Sequence, residues 1–422
     1  MTNFTGRVVV TTALLMICIA GCSKHDDSGS GNPLQPGPPH LRLNFHGYTF
    51  NSMSGIWVGV SNFDGREPLF AREILANGIA DLGIFPERVS LTIGFVQQPY
   101  GIIARSYLDV TSQAEYAFTR CVPDSDLGMA AITVNFPAGQ YADLAFVWPS
   151  GTFDYGWVHD SSAIRTFVQV RTVEDNAVFS AYARINNADT RLCGWIVGQS
   201  YRLHNRYDNI YQFTLDQTLP VQRLTTTGPL DYLSLYAYRG ATCAPMLLST
   251  PVAVGSDGQT YDVEFPAFPA TAIALSGGVD RDPESYSIWQ REDTAPTALT
   301  VPEASISATY DAETQTYRQV AVTGPADVLR ASWHAEDFFY IVDWTVTCSP
   351  QATSISLPTV PDSVIEQMPF FSLSEMQPES LAIDDYEPAA DYTTAVHLEL
   401  APTGPPESFL TRHFHYRTTA VQ

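Results

Sequence analysis

Tyr340-Ile341-Val342-Asp343-Trp344-Thr345-Val346-Thr347 is the stretch whose pattern decides the fold. Tyr340, Val342, Trp344 and Val346 alternate with Ile341, Asp343, Thr345 and Thr347, a period of two that puts one large apolar set on a single face of a strand. The same alternation recurs at Leu41, Leu43 and Phe45, at Val89, Leu91, Ile93 and Phe95, and at Tyr211, Phe213 and Leu215. Half-buried strands of this kind build antiparallel sheets. Turn signals separate them: Asp64-Gly65, Ser256-Asp257-Gly258 and Gly277-Gly278. Many short strands with frequent Gly, Pro and Thr predict an all-β chain of tandem antiparallel β-sandwich modules, Ig-like or related. Helix is expected at only two places. In 68–82, Phe70, Ile74, Leu75, Ile79 and Leu82 share a helical face and Pro68 suits a first turn, while Asp362 suits the N-cap of a short turn, DSVIEQM.

A faint repeat suggests how the modules are divided. Cys121-Val122-Pro123, Cys243-Ala244-Pro245 and Cys348-Ser349-Pro350 each precede a strand that ends at an apolar residue followed by proline, which cannot donate to a sheet ladder. The expected division is residues 40–150, 151–278 and 279–422, each the size of a sandwich domain.

Hydrophobic residues make up 45% of the chain, enough for packed cores, and there is no second long apolar run after the amino terminus. The net charge of -23 opposes binding to nucleic acid and electrostatic docking on anionic lipid. Lys24 is the only lysine, so nearly all positive charge is arginine.

At the amino terminus, Arg7 precedes an apolar run from Val8 to Ala20, too short to span a bilayer but suited to the core of a secretory signal. Ile19-Ala20-Gly21-Cys22 follows in register. This segment resembles the lipobox of bacterial lipoproteins. The resemblance covers only residues 1–22, and the body looks like uncharacterised multi-module β-rich lipoproteins in layout alone. It implies a signal peptide at residues 1–21, removed by cleavage before Cys22, and lipid on the Cys22 thiol and the new amino terminus. Several acyl chains on one residue give stable anchoring. Ser23 rather than an aspartate follows, which by the same resemblance implies an outer-membrane anchor, with the body in the periplasm or on the cell surface. Residues 22–39 then form a lipidated, flexible tether rich in Ser, Gly, Asp and Pro.

Cys121, Cys193, Cys243 and Cys348 remain after Cys18 leaves and Cys22 is lipidated. In an oxidising compartment four cysteines predict two disulfides, with three connectivities open. No GxSxG, HExxH, glycine-rich phosphate loop or EF-hand spacing is present. His159-Asp160-Ser161-Ser162 holds the residue types of a hydrolytic triad, but neighbours on a strand face opposite ways. His413 and His415 fall on one face of a terminal strand, a candidate metal pair that lacks a third ligand nearby in the sequence. Two acidic groups, Asp280, Asp282 and Glu284, and Asp384, Asp385 and Glu387 with Asp391, are the candidate metal ligands, with calcium the cation that alternating loop carboxylates suit. No other cofactor is implied. Trp148, Tyr155 and Trp157 are the candidate ligand platform, because exposed aromatic faces stack on sugar rings; Tyr232, Tyr236 and Tyr238 are expected to line one face of another strand. The expected role is non-catalytic binding or structural work at the envelope, through contact with a glycan or an envelope protein. The alternative is a hydrolase that uses paired carboxylates on envelope or extracellular glycans.

Overall fold

A computed structural model describes residues 40–45, 54–74, 78–97, 101–117, 127–135, 141–148, 151–158, 163–171, 178–185, 191–197, 210–218, 221–238, 246–247, 252–253, 259–264, 272–294, 296–337, 340–359, 373–400 and 412–419. The chain is all-β with several sheets, and one short helix interrupts the strand order among the described residues.

One twelve-stranded sheet organises the molecule. In chain order its strands are β1 (Ser54–Asn62), β2 (Pro68–Ile74), β3 (Arg88–Gln97), β4 (Gly101–Thr111), β5 (Tyr232–Tyr238), β6 (Met246–Leu247), β7 (Ala272–Asp280), β8 (Glu284–Glu292), β9 (Val328–Asp337), β10 (Tyr340–Cys348), β11 (Gln377–Glu387) and β12 (Arg412–Thr418). Their order in space is β6-β5-β7-β8-β12-β11-β9-β10-β4-β3-β1-β2. Neighbours are antiparallel except β10 and β4, which run parallel with Val342 opposite Ile102 and Trp344 opposite Ala104.

This sheet corrects the expected serial division. It draws strands from residues 40–150, 151–278 and 279–422 alike, and residue 278 falls inside β7. The alternating patterns were read correctly as strands, but their partners lie far along the chain and not within closed local sandwiches.

Alternation along each strand gives the large sheet two apolar faces. Trp333 and Val342, Trp344 and Val346, Leu381 and Ile383, Phe414 and Ile288 point to the first face. There they pack on a three-stranded sheet (Ser305–Asp311, Thr316–Thr323, Ser354–Ser356) through Ile306, Tyr317 and Ile355, and on a four-stranded sheet through Leu224 and Val263. Ile56, Val58, Leu91 and Ile93 point to the second face and meet Leu41 and Leu43 of a small sheet made by Leu41–Asn44, Ile79–Gly83 and Glu115–Ala117. Fully burying an apolar side chain of this size stabilises by roughly 1.5–3 kcal/mol, so the two layers supply much of the fold's stability. The strands between residues 127 and 214 form a five-stranded and a three-stranded sheet, the first of them edged by Gln217–Thr218.

Two local expectations change. Residues 68–82, expected as helix, form β2 and the strand Ile79–Gly83. Gly78 has φ +117 and Gly83 φ +104, both outside helical backbone, and Phe70 packs edge-to-face on Phe85 across a sheet corner. Gly277-Gly278, expected as a turn, lies within β7. Asp64-Gly65 is a turn as expected, with Gly65 at φ +77. Asp362 and Ser256-Asp257-Gly258 lie outside the described residues. The helix the structure does contain is α1 (Tyr392–Glu399), which buries Tyr392, Ala395 and Val396 and is capped by Asp391, whose carboxylate accepts from the Thr394 amide at 2.8 Å.

Candidate functional site

The densest ionisable cluster among the described residues sits on the second face of the large sheet, where β12, β11 and β9 run side by side. Leu381 and Ile383 of β11 enter the core, so Asp384 and Tyr386 emerge next to each other on a strand whose intervening Asp385 faces the opposite side. Phe414 of β12 enters the same core, which turns His413 and His415 to the second face. Register then places His415 opposite Asp384 and His413 opposite Tyr386.

Asp384 is 3% exposed and both its oxygens are occupied. Oδ2 accepts from Arg330 Nε at 2.6 Å. Oδ1 bonds His413 Nε2 at 2.8 Å and His415 Nδ1 at 2.9 Å. Arg330 also donates to Thr347 Oγ1 at 3.2 Å and to the Tyr386 hydroxyl at 3.1 Å, and it pairs with Glu399 at the end of α1. Tyr386 donates to Glu399 at 2.8 Å and stacks on His413, ring centres 4.5 Å apart and planes 10° from parallel. Helix α1 is held to the same face by the Tyr392 hydroxyl, which donates to the Leu108 carbonyl at 2.6 Å.

The electrostatics follow from burial against charge. Burial alone would push the Asp384 carboxyl up; Arg330 and the two histidines outweigh it and hold that carboxyl well below the usual carboxylate range. Burial pushes the Tyr386 phenol well up, with Asp384 and Glu399 adding to it, so it stays a neutral donor. Burial pushes up the Asp327 carboxyl, whose oxygen accepts from the Tyr386 amide at 2.9 Å.

With an ionised Asp384 at their inner nitrogens, each neutral histidine presents its other nitrogen as a lone-pair acceptor: Nδ1 of His413 and Nε2 of His415. Both rings bond the same Asp384 oxygen, and among the described residues they belong to no group of three or more His, Cys, Asp or Glu that could hold a metal ion. What the arrangement can do chemically is hold at least one polarised imidazole base on a half-open face: the side chains of His413 and His415 are 30% and 32% exposed.

The remaining predicted site residues are scattered. Asp280, Asp282 and Glu284 are exposed around the β7–β8 hairpin, and the Arg281 there pairs instead with Asp231, its Nε 2.7 Å from Oδ2. Asp385 and Glu387 point away from Asp384 and engage Arg412, at 3.0 and 3.8 Å. No group of three or more His, Cys, Asp or Glu side chains among the described residues is arranged to hold a metal ion. The two expected acidic groups therefore do not converge as drawn, because alternation splits Asp384 from its neighbours. Trp148 lies on Tyr141–Trp148, and Tyr155 and Trp157 on the antiparallel partner Gly151–Val158; their side chains, like those of Cys193, Tyr236 and Tyr238, lie outside the described residues. Residues 159–162, Cys121 and Cys243 lie outside them too. Cys348, expected to pair, is a free thiol 3% exposed in the first-face core, and burial pushes it up to about 12. It sits on a core-facing position of β10, where no cysteine partner reaches it among the described residues.

Sequence reasoning missed Arg330, Tyr386 and Glu399. Arg330 carries a readable signal, a charge on the β9 alternation flanked by Leu329 and Ala331; its partner does not. Comparison with known proteins finds no family model that matches the chain and no matching curated protein.

Proposed function

We infer that the protein is an exported lipoprotein, anchored in the outer membrane through lipid on Cys22, whose β-sheet body does binding or structural work at the envelope. The observation that carries this is the register of Arg7, the apolar run Val8 to Ala20, and Ile19-Ala20-Gly21-Cys22. In this reading residues 23–39, ahead of the first described strand at Leu41, serve as the tether between lipid and body.

A cleft at the β1–β2 edge is lined by Trp57, Gly59, Thr92, Trp344 and Thr359 among others. A glycan or an envelope protein is the proposed partner class, with Trp148, Tyr155 and Trp157 the aromatic platform to test first. Calcium on the exposed Asp280, Asp282 and Glu284 loop remains part of this proposal only as a bridge to such a partner.

The test has two arms. Metabolic labelling with a radioactive fatty acid should mark the wild-type protein in the membrane fraction, and Cys22→Ser should lose the label and leave that fraction. An unlabelled wild type, or a mutant that stays membrane-bound, defeats the anchoring reading. A glycan array probed with the full-length protein tests the binding reading, and loss of every signal in a Trp148→Ala, Trp157→Ala double mutant would assign the platform.

A further inference from the structure

The sheet register places a chemically complete row beside the Asp384 cluster. Reading across five strands, Tyr232 of β5 lies opposite Gly278 of β7, Gly278 opposite Ser287 of β8, Ser287 opposite His415 of β12, and His415 opposite Asp384 of β11. Cross-strand partners point the same way. Leu233, Leu275, Ile288, Phe414 and Ile383, each next in sequence to a row member or alternating with it, all enter the first-face core, so the whole row emerges on the second face. We propose that Ser287, His415 and Asp384 are the nucleophile, base and orienting carboxylate of an ester-hydrolysing site, with the Tyr232 hydroxyl as the donor to the oxyanion.

Each part has its geometry. His415 bonds Asp384 through Nδ1 at 2.9 Å, which leaves Nε2 on the side of the ring away from β11, towards β8 and Ser287. Arg330 keeps the carboxylate ionised from behind at 2.6 Å. Directly opposed residues have Cβ atoms about 4.5–5.5 Å apart, so a turn of the Ser287 χ1 brings Oγ towards Nε2. The two are not hydrogen-bonded in this structure, and catalytic contacts of this type commonly tighten only with substrate bound. Gly278 lets nucleophile and donor come close. A Cβ there would overlap the Tyr286 backbone carbonyl oxygen and lie 2.8 Å from the Tyr232 hydroxyl and 3.0 Å from Ser287 Cα, so only glycine allows β7 to approach β8 this closely and the Tyr232 hydroxyl to end near Ser287.

The step balances with water alone. Ser287 Oγ attacks the ester carbonyl carbon while its proton passes to His415 Nε2. The tetrahedral oxyanion accepts from Tyr232. Collapse breaks the carbon–oxygen bond to the alcohol, which takes the proton from His415. Water, deprotonated by the same nitrogen, then attacks the acyl-serine and releases the carboxylic acid, restoring Ser287. The row is open, with Tyr232 38% exposed and the His415 side chain at 32%. That suits a short acyl ester, such as an acetyl group carried on a larger molecule lying across the sheet. The inference rests on register and side-chain geometry and is independent of the anchoring reading.

The experiment uses detergent-solubilised full-length protein, a fluorophosphonate probe, and p-nitrophenyl acetate and butyrate. The expected result is one phosphonyl group per chain, mapped by mass spectrometry to the peptide bearing Ser287, with acetate turned over faster than butyrate. Ser287→Ala should abolish labelling and lower ester turnover by at least about a hundredfold, and Tyr232→Phe should lower kcat by about a hundredfold with KM little changed. Folded wild-type protein that takes no probe, probe on a different serine, or equal turnover by wild type and Ser287→Ala would each overturn the proposal. Circular dichroism of each variant separates loss of chemistry from loss of fold.

Discussion

Desolvating a carboxylate to 3% exposure costs several kcal/mol, and Asp384 persists in that state because Arg330, His413 and His415 together fill its acceptor sites. Removing the charge strands Arg330 in a pocket shared with Tyr386 and Glu399. Asp384→Asn should therefore destabilise by about 3–5 kcal/mol, read as a fall in the urea midpoint; a loss under about 1 kcal/mol would show that the cluster is not coupled to folding. The pH sign follows from the same residue. The folded pKa of Asp384 lies below its unfolded value, so its contribution is fully present above about pH 4 and is lost as pH falls through the folded pKa. Asp327, pushed up by burial, acts oppositely: its contribution is present at low pH and lost as pH rises through its folded pKa. Thermal scans from pH 7 to 3 should thus show a steeper acid-side fall in wild type than in Asp384→Asn. Half of this site was legible in the sequence. Alternation put His413 and His415 on one face, and the acidic cluster drew notice to Asp384, though as a candidate metal ligand beside Asp385 and Glu387. What joined them was not legible, because register between β11 and β12 and the arrival of Arg330 from β9 are properties of pairing, not of local pattern.

At the scale of single elements, residues 68–82 show how a local signal is outvoted. Phe70, Ile74 and Ile79 satisfy a helical period, yet Gly78 and Gly83 take positive φ and the flanking strand β1 offers Pro68–Ile74 a ladder along most of its length. Conversely α1 went unread although Tyr392, Ala395 and Val396 sit at helical spacing, because Asp391 was counted among the acids when its work is to cap. Asp391→Ala should cost about 1 kcal/mol and speed amide exchange across 392–399 ahead of the rest of the sheet; unchanged exchange there would mean the side chain does not cap. A second element test concerns β3. A Cβ at Gly94 would overlap the Trp57 indole, which lies across that position and meets Trp344 edge-to-face at 6.4 Å. Gly94→Ala should destabilise by about 1–3 kcal/mol or more, visible as a lower thermal midpoint together with a changed tryptophan emission spectrum.

For the whole molecule, strand content was legible and strand partnership was not. Tyr340 to Thr347 proclaims a strand with Val342, Trp344 and Val346 facing a core, and β10 is that strand. Nothing in the stretch says that one of its neighbours is β4, some 240 residues earlier and parallel to it, as the register of Trp344 with Ala104 requires. Local alternation fixes which side of a strand is apolar; it carries no address for the strand beside it. The indole nitrogen of Trp344 shows the coupling in one bond: it donates to Ser106 of β4 at 2.9 Å, and Ser106 in turn bonds Thr92 of β3 at 2.8 Å, all buried. The consequence is a test that separates one continuous sheet from independent modules. A fragment of residues 279–422 keeps β8 to β12 but loses β4 and β7, leaving both β10 and β8 with an unpaired row of amides and carbonyls and Trp344 with an unmatched buried donor. Made alone it should be insoluble or bind a hydrophobic dye without a cooperative unfolding transition, and adding residues 40–278 on a second chain during refolding should recover soluble material. A fragment 279–422 that is monomeric and unfolds cooperatively by itself would mean that the β4–β10 seam is a contact between finished domains and not part of one core.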